Sequence, residues 1–145
     1  MRLFFLCVII SAGLTACKKD NLDISSFWNC NQLQNLDTTA VSAKLVGSWS
    51  WIKQACGDGA GKIKKADKNI KVTFRTDRTF SVNENAALLT QGTWKVVQVD
   101  GSSWGLDLSS ASEFLYGRIF FCDDTQVLFN DSYRDGCDNL FNKRN

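Results

Sequence analysis

Six cysteines, five tryptophans and fifteen carboxylates are the side chains of this sequence that could do chemistry, and no histidine accompanies them. The missing imidazole removes the usual general base near neutral pH, the commonest metal ligand and every Ser-His or Cys-His nucleophile pair. The carboxylates closest in sequence, Asp123 with Asp124 and Asp135 with Asp138, fall in or beside turn-forming residues, and turn formation accounts for them. No D-x-D-x-D-G loop occurs, so calcium chelation has no support. The cysteines lack both C-x-x-C spacing and histidine partners, which disfavours zinc. These residues describe a non-enzyme without metal or cofactor, and the cysteines become a matter of address and of cross-linking.

Cys7 and Cys17 concern address. Arg2 supplies a positive start, Leu3 to Ile10 an apolar core, and Ser11 to Ala16 a run of mostly small residues. The apolar run is too short to span a bilayer. Leu14, Thr15, Ala16 and Cys17 resemble the bacterial lipoprotein box, in which lipid joins the cysteine before cleavage in front of it. The resemblance implies a signal peptide over 1–16, loss of Cys7 with it, and lipidation of Cys17 by acyl chains such as palmitate. Each buried methylene of such a chain contributes about 0.8 kcal/mol, so several chains anchor firmly. The mature start CKKD looks like lipoproteins of the Bacteroidetes. It implies an outer-membrane protein of the cell envelope, on the periplasmic or cell-surface side, with the membrane as partner through Cys17.

Cys30, Cys56, Cys122 and Cys137 concern cross-linking. Four cysteines in an exported chain imply two disulfides with three possible pairings. Short alternating apolar runs separated by turn residues predict an antiparallel meander. Its strands are expected at 47–56, 69–75, 79–83, 92–99, 104–109, 114–122, 126–130 and 138–143, with turns such as Thr76-Asp77-Arg78 and Arg134-Asp135-Gly136 between them. In a meander, strand ends alternate between two rims. Cys122 closes the sixth strand and Cys137 opens the eighth, so the seventh strand separates them by far more than the ~7 Å a disulfide allows between Cα atoms. Cys56 shares its rim with Cys137, and Cys30 shares the other with Cys122. The expected bonds are therefore Cys30–Cys122 and Cys56–Cys137. A first strand tied to the last suits a closed barrel, and an open sandwich with stapled edges is the alternative.

LVGSWSW, Leu45 to Trp51, resembles the opening of the lipocalin-like domains of bacterial lipoproteins, with Gly47, Ser48 and Trp49 in the place of the lipocalin G-x-W. KVTFRTDRTFSV, Lys71 to Val82, looks like a hairpin common in such domains. The resemblance implies an eight-stranded up-and-down antiparallel barrel over 45–145, with Trp49 packed across its closed end near a cation such as Arg144. The lipocalin T-D-Y loop is represented only by Asp123, Asp124 and Thr125 in a different order, and no helix follows the last strand. Ahead of the barrel, residues 17–44 are expected to form a lipidated tether, polar from Lys18 to Gln34, and a short helix over Thr38 to Lys44 capped by Asp37. Phe27 and Trp28 lie outside the barrel sequence.

Alternation points Trp49, Trp51, Val72, Phe74, Phe80, Val82, Trp94, Val96, Trp104, Leu106 and Leu108 inward. Two functions fit. In one, Trp51, Phe74, Trp94 and Trp104 line a pocket for a small hydrophobic ligand. In the other, the same residues fill the core and the outer surface contacts a protein or glycan. The net charge of +2 and the scattering of the basic residues, with Lys62, Lys64, Lys65 and Lys68 read as a solvated loop, speak against a nucleic-acid partner. A monomer is expected.

Overall fold

The structure, a computed structural model, describes residues 24–57 and 63–144. The leader, Cys7, Cys17 and Lys62 lie outside the described residues. Two helices, α1 (Ile24–Gln34) and α2 (Thr38–Leu45), precede nine strands: β1 (Gly47–Cys56), β2 (Ile63–Lys65), β3 (Ile70–Phe74), β4 (Thr79–Glu84), β5 (Ala87–Asp100), β6 (Ser103–Leu108), β7 (Arg118–Phe121), β8 (Gln126–Asn130) and β9 (Cys137–Arg144). Their order is β6-β5-β4-β3-β1-β9-β8-β7, every ladder is antiparallel, and β2 pairs with β1 alone. The strands other than β2 make a nearly closed eight-stranded up-and-down barrel, with the first strand paired to the last. That is the expected fold.

Local chemistry explains the elements. Asp37 caps α2 by accepting from the Ala40 N–H at 2.7 Å, as its position before an apolar helix predicts. Asp77 turns the β3–β4 hairpin, its Oδ1 accepting from the Thr79 N–H at 2.9 Å and the Thr79 hydroxyl at 2.7 Å. Asp123 does the same between β7 and β8, accepting from the N–H groups of Thr125 and Gln126 and from the Thr125 hydroxyl. Inside the barrel, the eight expected residues from Trp49 to Val96 are buried, and Trp104, Leu106 and Leu108 pack against them half-buried.

Three expectations are corrected. Ile24–Gln34 is a helix rather than tether. Its Phe27 is buried on the outer wall of the barrel against Phe120 of β7, Leu128 of β8 and Leu140 of β9. Those strands therefore bury both faces, and their unbroken apolar runs Ile119-Phe120-Phe121 and Val127-Leu128-Phe129 mark it. The strand expected from Phe114 begins only at Arg118, because Gly117 enters it at φ +91° and the preceding turn closes with Leu115 N–H donating to the Ser112 carbonyl. The lysine-rich stretch is partly strand, since Lys64 and Lys65 pair with Gln54 and Lys53 of β1.

The barrel wall has a seam. β6 and β7 lie side by side with no ladder between these two described strands. Side chains close it instead. Arg118 Nε of β7 donates to Asp100 Oδ2, at the end of β5, at 2.7 Å, while Trp104 Nε1 of β6 donates to the Leu36 carbonyl in the link between α1 and α2 at 2.9 Å. Gly105 sits so near that a Cβ there would stand 3.0 Å from the Gly117 carbonyl oxygen.

Candidate functional site

The four interior aromatics expected to meet a ligand belong to one core but are engaged locally. Trp51 donates its indole N–H to Asn139 Oδ1 at 3.1 Å and packs edge-on against Phe114 with centroids 5.3 Å apart. Phe74 touches Trp94 at 5.3 Å and Phe80 at 6.4 Å. Trp94 donates to the Thr79 carbonyl at 3.1 Å, with the Arg78 guanidinium 4.7 Å from its ring. Trp104 is the seam residue bound to Leu36. The structure brings Phe74 and Trp94 together and sends Trp51 and Trp104 to separate partners.

The buried polar groups near them are saturated. Asn139 Oδ1 also accepts from Gln54 Nε2 at 3.2 Å. Asp138 is 1% exposed, and its two oxygens accept from Asn130 Nδ2, the N–H groups of Asp131 and Ser132, and the Ser132 hydroxyl, at 2.8–2.9 Å. A buried carboxylate with four donors converging on it builds the turn that leads into β9. Asp135 ends the same turn in left-handed backbone at φ 62°. Among the described residues no three His, Cys, Asp or Glu side chains converge on a point fit for a metal, and no helix is long and apolar enough to cross a membrane.

Beside the end of α2, Trp49 donates its indole N–H to the Leu45 carbonyl at 2.7 Å. The cation above its ring is Lys143 at 5.1 Å, in place of the expected Arg144. Register decides this. Trp49 pairs directly with Lys143 across β1 and β9, whereas Arg144 pairs with Ser48 on the opposite face. Lys143 is further held by donating to the Lys44 carbonyl at 3.1 Å.

Both disulfides are the expected ones. Cys56 and Cys137 are direct cross-strand partners with Cα atoms 4.2 Å apart. Cys30 and Cys122, 4.7 Å apart, tie α1 to the end of β7. Asn31 and Gln34 bind that same edge, with Phe121 N–H donating to Asn31 Oδ1 and Gln34 Nε2 donating to the Phe121 carbonyl.

Fixing α1 against β7 creates a groove that sequence reasoning missed. It is lined by Ser25, Trp28, Asn29, Arg118, Phe120 and Asn130, with a volume near 360 Å³. Ser25, Trp28 and Asn29 are three and four residues apart and share one face of the helix. Arg118 and Phe120 alternate onto the outer face of β7, and Arg118 pairs directly with Asn130 of β8. Trp28, 38% exposed, stands edge-on to the Phe120 ring at 5.3 Å. The Arg118 guanidinium lies 3.8 Å from the Tyr133 ring centroid, and its bond to Asp100 holds that carboxyl below the usual range. The signal for this site was the adjacent aromatic pair Phe27-Trp28 just ahead of Cys30.

No family model, curated protein or solved structure matches this chain.

Proposed function

We propose that this chain is a lipid-anchored cell-envelope protein whose lipocalin-like barrel has a filled core and acts through its outer surface. One observation carries the functional half: the interior aromatics are committed to each other, and the indole N–H groups of Trp51, Trp94 and Trp104 all donate to protein oxygens. A pocket that orients a ligand keeps some convergent polar groups free for it. The address rests on the lipoprotein-like run Leu14-Thr15-Ala16-Cys17.

Native mass spectrometry of the full-length protein released from detergent tests the core. The expected mass is that of the lipidated chain alone, and a retained small molecule lost in Trp51→Ala would overturn the reading. Incorporation of labelled palmitate, abolished in Cys17→Ser, tests the address. A second reading, a small hydrophobic ligand within the barrel, draws on the β6–β7 seam, where side chains in place of a ladder offer a route inward.

A further inference from the structure

We propose that the groove between α1 and strands β7 and β8 binds a neutral saccharide. This rests on the outer-surface reading and names its ligand class. All five tryptophans are described, and four of them, Trp49, Trp51, Trp94 and Trp104, donate the indole N–H to a protein oxygen. Trp28 is the exception. Neither its N–H, nor the Ser25 hydroxyl, nor the Asn29 carboxamide is spent on another described residue. A half-exposed aromatic plane with unspent hydroxyl and amide groups one helical turn apart suits a pyranose. Its C–H face stacks on the ring while its hydroxyls, both donors and acceptors, meet Ser25 and Asn29.

Charge selects against the other occupants of such a groove. Arg118 is the cation in its lining, and Asp100 already neutralises it through Nε and Nη2. Arg134, whose guanidinium is 5.2 Å from the Tyr133 ring centroid, is likewise paired with Asp131 at 2.9 Å. Among the described residues, an anionic phosphate headgroup would find no free positive charge in the groove, and no carboxylate lines it to receive a basic peptide. Arg118 keeps its Nη1 donors for an uncharged hydroxyl. The site is also rigid, as the Cys30–Cys122 bond and the Asn31–Phe121 hydrogen bond set the helix against the strand edge. Its volume of about 360 Å³ falls at the small end of ligand sites.

The full-length protein in detergent, labelled with ¹⁵N, is titrated with neutral pyranose oligosaccharides, plain and N-acetylated. The Trp28 indole N–H resonance should shift saturably while the other four indoles stay in place. Trp28→Ala should weaken binding about tenfold or more, the scale of one lost stacking contact. Trp28→Phe should retain part of it, Asn29→Ala should lose several-fold, and Leu33→Ala on the exposed side of α1 should change nothing, with circular dichroism unaltered throughout. No shift at millimolar saccharide overturns the proposal. Trp28-dependent binding to vesicles containing phosphatidylglycerol, or to a cross-linked protein instead, also overturns it while sparing the outer-surface reading. A ligand found inside the barrel would remove both.

Discussion

The backbone N–H of Phe121 donates to the Asn31 side chain at 3.1 Å. With Gln34 Nε2 donating to the Phe121 carbonyl at 2.9 Å, the helix satisfies both backbone groups of a strand that has lost its neighbour on that side. An open sheet edge invites pairing with other chains, and here two amide side chains occupy it. Asn31→Ala should cost about 1–3 kcal/mol, because it strands a partly buried N–H, and urea denaturation would measure it. An unchanged midpoint would show that water replaces Asn31 without loss.

Asp138 separates charge from geometry. Asp138→Ala should destabilise by about 3 kcal/mol, leaving four donors without acceptors. Asp138→Asn should cost less, since one carboxamide oxygen can still accept the three bonds made to Oδ1, and the Ser132 hydroxyl can reverse its role. Equal losses in thermal unfolding of the two variants would mean that the negative charge itself is required.

Gly117 is irreplaceable for two independent reasons. Its φ of +91° disfavours any side chain, and a Cβ would collide with the Asn130 carbonyl of β8. Gly117→Ala should destabilise by about 2 kcal/mol or more. Calorimetry showing a shift below one degree would contradict the placement of β7 against β8.

The Arg118–Asp100 pair across the seam should respond to acid. The Arg118 hydrogen bond lowers the Asp100 pKa in the folded protein, so its contribution is present above the unfolded carboxyl value of about 4 and disappears as pH falls through the lower folded value. Both groups are partly exposed, which keeps the contribution to about 0.2–1 kcal/mol. The stability gap between wild type and Asp100→Asn should be constant from about pH 8 to 5 and close below about pH 4. A gap that widened in acid would refute the assignment.

Replacing both Cys30 and Cys122 with serine, with Cys56–Cys137 retained, opens the ring that runs through both bonds and should cost about 4 kcal/mol in the chain-entropy account. The first element to loosen should be α1, because Phe27 and two side-chain hydrogen bonds are then its main ties to the barrel wall. Hydrogen exchange should accelerate in residues 24–34 well before it does in β1 or β9. Uniform acceleration would mean that helix and barrel unfold as one unit.

Much of the barrel could be read because pairs of residues two apart, Trp49/Trp51, Val72/Phe74, Phe80/Val82 and Trp94/Val96, put buried apolar side chains on one face of β1 and β3–β5. The disulfides followed from rim parity, which needs only the strand count between cysteines. The site was harder. Phe120, Leu128 and Leu140 break the alternation of β7–β9, a sign that something covers the outer face, yet nothing in those strands names α1 as the cover. The helix buries Phe27, and its attachment otherwise depends on Cys30, Asn31 and Gln34, whose partners are some ninety residues away. The choice of Lys143 over Arg144 is a matter of one residue of register, which neither composition nor motif determines.

The two disulfides also have a topological consequence. Residues 30–56 and 122–137, joined at both ends by Cys30–Cys122 and Cys56–Cys137, form a continuous covalent ring. Any peptide bond between 57 and 121 can be cut by a protease without releasing either flank. On a non-reducing gel such a nicked molecule would still run as one piece, its N-terminal segment and its last strand inseparable until a reductant arrives.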